Sequence, residues 1–157
     1  MPAPSITVVD TSDRTITNWD NGVVQANNEG AVLTAIIWNN RGGSVALSDL
    51  KEASITSLDI DGRAITDVVT DKWVRVNVPS VDGNASTWTP VGGSVSKGIR
   101  ADGLGVSDGF TIKGTANDGT LANSKDNYCT VNMKAKVPSG AEAGIRNWNM
   151  RIGGYFT

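Results

Sequence analysis

"YCTVNMKAKV", residues 128–137, is the stretch whose reading decides the fold. Cys129, Val131, Met133, Ala135 and Val137 alternate with Thr130, Asn132, Lys134 and Lys136. A period of two is that of a strand with one face buried and one wet. "IRNWNMRI", residues 145–152, shows the same alternation, with Trp148, Met150 and Ile152 set against Asn147, Asn149 and Arg151. The connection "PSGAEAG" is short, so the two are expected to pair as an antiparallel hairpin. Gly153-Gly154 predicts a bulge or bend before Tyr155 and Phe156.

The same signals recur upstream. "SITVVD", "RTITNW", "GAVLTAIIW" and "ASITSLDI" read as strands, and Asp61-Gly62 predicts a hairpin returning through "RAITDVV". In "KWVRVNV", Val74, Val76 and Val78 fall on one face and Trp73, Arg75 and Asn77 on the other, until Pro79 ends the strand. "STWTPV", "KGIRA" and "GFTIKG" are short strand candidates separated by Asp-Gly turns. A helix fits only in short pieces such as "LSDLKEA". The expectation is an all-β, antiparallel β-sandwich spanning 1–157 as a single domain, immunoglobulin-like or jelly-roll, with little or no helix.

Composition supports this. The chain has 157 residues, with 18 glycines for turns and only three glutamates. A net charge of −2 and a pI near 5.0 argue against nucleic acid as a partner. No run approaches the ~20 apolar residues of a membrane span, and "MPAPSITVVD" lacks the pattern of a signal peptide. The expected location is therefore the cytoplasm. There is no histidine, which removes the commonest general base and transition-metal ligand. The lone Cys129 lies on the apolar side of its strand and reads as a buried small hydrophobe.

No motif assembles a catalytic set or a cofactor site. Ser94-Val95-Ser96-Lys97 matches S-x-x-K, but in a Gly-rich, β-like context without its partner motifs. Asp59-Ile60-Asp61-Gly62 begins like a calcium loop and lacks the later ligands, so it reads as a turn. Gly103, Gly105 and Gly109 miss the dinucleotide spacing. Asn84-Ala85-Ser86 is a glycosylation sequon by pattern only. No catalytic residue, metal or cofactor is expected.

The five tryptophans divide into two groups. Trp19, Trp38 and Trp148 sit in apolar strand patterns and read as core, with each indole N–H satisfied locally. Trp73 shares a face with Arg75, and Trp88 lies among hydroxyls. Either can be covered by its own chain, anchor a protein interface or stack on a surface glycan. "AIIWNNRGGS", residues 35–44, is a strand that ends in a sharp turn. Trp38, Asn39, Asn40 and Arg41 there, with Trp73, Arg75 and Trp88, are the expected contact residues.

"NWDNGVVQANNEGAVLTAIIWNNRGG" and "VNMKAKVPSGAEAGIRNWNMRI" resemble the opening and closing parts of immunoglobulin-like domains. "IIWNNRGGSVALSDL" and the end "RIGGYFT" resemble small structural proteins of tailed bacteriophages and prophages. The resemblance implies a non-enzymatic virion protein assembled in the host cytoplasm. Its partners would be phage capsid or tail proteins, and it would itself be a dimer or trimer. A capsid decoration or cement protein is the first expectation. A tail or baseplate protein and a carbohydrate-binding module are the alternatives. A hydrolase built from distant aspartates has no spacing in its favour.

Overall fold

A computed structural model describes all residues, 1–157. Eight strands form two antiparallel sheets, as expected for a β-sandwich. They are β1 (Ile6–Val9), β2 (Leu33–Asn39), β3 (Lys51–Leu58), β4 (Val74–Asn77), β5 (Thr89–Val91), β6 (Lys97–Gly98), β7 (Tyr128–Ala135) and β8 (Asn149–Tyr155). The first sheet has the order β1-β2-β7-β4-β5 and the second β6-β3-β8. Helix is confined to single turns, chiefly α1 (Asp67–Thr70) and α2 (Pro79–Asp82).

The alternation read in β7 is observed. Cys129, Val131, Met133 and Ala135 are buried between the sheets, while Thr130, Asn132 and Lys134 lie on the outer face and are only partly covered. Cys129, Val131 and Met133 join Ala35, Ile37, Ile55, Val74 and Val76 in one core of 18 buried residues. A smaller cluster of Val9, Ile36, Trp38 and Tyr128 lies on the outer face of the first sheet.

Several expectations are corrected. β7 and β8 do not pair with each other. β7 lies between β2 and β4, and β8 pairs with β3 in the other sheet, so "PSGAEAG" crosses from sheet to sheet. Asp61-Gly62 does form a tight turn, with Gly62 N–H donating to Asp59 O at 2.8 Å, but the chain continues into α1 rather than a return strand. "LSDLKEA" is no helix; Lys51 opens β3. "RTITNW" and "GFTIKG" each contribute a single bridge, Thr15 to Val9 and Ile112 to Leu50. The irregularity expected at Gly153-Gly154 exists, but its extra residue lies on β3, between Lys51 and Ser54.

Candidate functional site

The turn after β2 is densely hydrogen-bonded. Asn39 is fully buried. Its Nδ2 donates to the carbonyls of Ser48 (3.0 Å) and Ile112 (3.2 Å), and its Oδ1 accepts from Ser5 N–H at 3.1 Å. Asn40 adopts a left-handed backbone at φ 61°, which a short amide side chain tolerates. Its Nδ2 reaches the carbonyls of Val45, Gly114 and Thr115. A Cβ on Gly43 would stand 1.9 Å from Asn40 Oδ1, so only glycine fits there. The two amides therefore bracket segments distant in sequence, supplying the Ser48 and Val45 carbonyls with donors and adding a second donor to those of Ile112 and Gly114, which also accept from Leu50 and Leu47 N–H.

These facts correct part of the expected contact surface. Asn39, Asn40, Trp38 and Trp73 are buried within the chain and offer no surface to a partner. Trp38 packs on Tyr128, centroids 4.8 Å apart, beneath the Arg41 guanidinium. Its indole N–H has no protein partner, contrary to the local satisfaction expected of it. Arg41 is half-buried and ion-paired with Asp13.

Trp73, just before β4, joins the main core together with Val74, Val76 and Val78, and the segment between β7 and β8 covers it. Arg146 lies 5.7 Å over its ring and is held by a forked bond to Asp67, with Nε and Nη2 at 2.8–2.9 Å from the carboxylate. That bond from Arg146 holds the Asp67 carboxyl below its usual range. Thr34, Asn132 and Asn77 form a polar ladder across β2, β7 and β4, with bonds of 2.7 and 3.1 Å. The sequence did not mark this ladder, because each of its two bonds joins residues more than fifty positions apart.

Arg75 and Trp88 remain at the surface, both half-buried. Lys134 Nζ stands 4.2 Å from the Trp88 ring centre and is paired with Glu29 at 2.7 Å, so one face of that indole is already occupied. The Lys134 bond in turn lowers the Glu29 pKa. Cys129 is buried, and desolvation pushes its thiol up to about 12, far from a reactive thiolate. Asp59, the head of the calcium-like motif, accepts from the Thr66 hydroxyl and Ile65 N–H, which holds its pKa down; it caps a turn. No group of three or more His, Cys, Asp or Glu side chains is placed to hold a metal ion.

An apolar concavity lies elsewhere, along the open seam between the sheets. A cleft of about 370 Å³ runs between β1–β2 and β8, lined by Val8, Leu33, Ile37, Met133, Met150 and Ile152 among others. Trp19 and Trp148 line it as an edge-to-face pair, centroids 5.6 Å apart. Sequence reading placed both indoles in the core; neither is buried, and together they bound a cleft. β8 borders this cleft as an edge strand.

No family model, curated protein or solved structure matches this chain.

Proposed function

We propose that the chain is a non-enzymatic structural protein of a tailed-phage virion, a capsid decoration protein that clamps neighbouring shell subunits. The observation that carries this reading is the seam. An apolar cleft beside an unpaired strand edge offers another chain both burial and main-chain hydrogen bonds. The brackets of Asn39 and Asn40 hold the end of β2 and its turn in place, and a pre-ordered surface loses little entropy on docking. The resemblance of the β2 turn and the C-terminal stretch to phage structural proteins points the same way. Arg41, Arg75 and Trp88 stay accessible as secondary contacts. The carbohydrate alternative is less favoured, because Trp73 is buried and Lys134 occupies one face of Trp88.

A protein that binds only the assembled shell stabilises that shell by mass action. The test is direct. Shells of the phage or prophage that encodes the chain are heated with and without saturating protein. The expected result is co-sedimentation with the shells and a higher opening temperature. Neither binding nor a shift would remove the decoration role.

A further inference from the structure

The order β1-β2-β7-β4, with β5 added beyond β4, and the order β6-β3-β8 parallel the A-B-E-D and C′-C-F orders of the immunoglobulin sandwich, except that β6 follows β4 in the chain whereas C′ precedes D. In that sandwich a strand G runs along the outer side of F. Here β8 takes the F position. Its ladder is with β3, and no backbone hydrogen bond reaches its other edge. The edge is seven residues long, contains no proline and carries a single charge, Arg151. An edge with so little protection is a template for another strand.

We propose that β8 pairs antiparallel with β8 of a second copy, each occupying the G position of the other. The proposal rests on reading the seam as a protein-contact surface, and it names the first partner of that surface. The register is set by the strand itself. For both cores to lie on the same side of a continuous sheet, paired residues must share parity, so the two-fold axis passes through a residue. An axis at Arg151 would oppose two guanidiniums. An axis at Ile152, the midpoint of β8, engages all seven residues. It sets Asn149 against Tyr155, Met150 against Gly154 and Arg151 against Gly153, so the one charge faces a residue without a side chain. Met150 and Ile152 point to the core side, opposite Ser57 and Ile55, and are only half-buried in one copy. In the pair they extend the apolar lining of the neighbour's cleft.

The chain's only natural cysteine is buried, so engineered cysteines report cleanly. A side chain at position 153 meets only Ser54 Oγ, at an ordinary 3.5 Å, so substitutions there fit the fold. Light scattering is expected to give twice the 16.4 kDa chain mass. Under mild oxidation the double variant Arg151→Cys/Gly153→Cys is expected to form a covalent dimer. Neither single variant should, because directly opposed positions are close enough for a disulfide and diagonal ones, about 7 Å apart, are not. Gly153→Lys opposes Arg151 twice and should weaken the dimer, while Gly153→Asp should tighten it, each by ~2- to ~30-fold in Kd. A monomer at every concentration overturns the proposal, as does a dimer indifferent to all these changes. A monomer that still binds shells leaves the virion reading standing and removes the self-pairing alone. A dimer with the expected cross-link that ignores shells does the reverse.

Discussion

Asn39→Asp tests the bracket at the end of β2 with almost no change of shape. Oδ1 still accepts from Ser5 N–H. The second oxygen replaces Nδ2, 3.0 Å from the Ser48 carbonyl and 3.2 Å from that of Ile112. Both neighbours are acceptors. A protonated carboxyl can serve the Ser48 carbonyl, while that of Ile112 keeps only its bond from Leu50 N–H at 2.9 Å, a loss of about 0.5–1.5 kcal/mol. An ionised carboxylate at a fully buried position facing two carbonyls is far less favourable. The folded-state pKa therefore rises above the unfolded value of ~3.9. Between those two values the folded state binds more protons than the unfolded state, so stability falls as pH rises, by ~1.4 kcal/mol per pH unit, and levels off above the folded pKa. Urea unfolding detected by tryptophan fluorescence, in steps from about pH 4 to about pH 7 and relative to the parent protein, measures this slope. Asn39→Ala is the control, with a loss of about 2–4 kcal/mol that does not depend on pH. A pH-independent Asn39→Asp penalty would refute the bracket.

Arg146→Ala should uncover Trp73 and shift its emission to the red. The stability cost should be no more than about 1 kcal/mol, because both partners of the Arg146–Asp67 pair are a quarter to a third exposed. The Asp67 pKa is lowered in the fold, so the pair stabilises above the ordinary carboxylate range and that contribution fades as pH falls. The variant should show less of this acid dependence. Gly43→Ala should cost more than about 2 kcal/mol, since its Cβ would overlap the Asn40 amide, whereas Gly42→Ala, whose Cβ meets only Gly119 Cα at an ordinary 3.9 Å with φ at 64°, should cost only about 1 kcal/mol. Equal losses in the two variants, by urea midpoint, would place the strain in the backbone alone.

The strands were legible because their signal is local. β3, β4, β7 and β8 appear where period-two alternation runs for four residues or more, and Pro79 stops β4 as its ring requires. The burial of Cys129 agrees with the same parity. Which strand pairs with which was not legible. The short link between β7 and β8 suggested a hairpin, yet β7 is held between β2 and β4, and the same link serves equally well as a crossover between sheets. A turn residue such as Gly62 announces a reversal but not the element beyond it, and the single turn of α1 is too short to show a period of its own.

The candidate site divides along the same line. Parity placed Trp73 away from the valines, but only the tertiary structure brings Arg146 over it, 73 positions further along the chain. Asn39 and Asn40 read as turn formers in the sequence; their bonds to Ile112 and Gly114 make them internal braces. The seam cleft collects β1, β2 and β8 from both ends of the chain, so no single stretch announces it. The sequence by itself determined which faces of which strands are apolar, because side-chain direction alternates residue by residue. The fold decided which of those faces meet, which amides are enclosed and which edge stays open, because these depend on contacts between residues far apart in the chain.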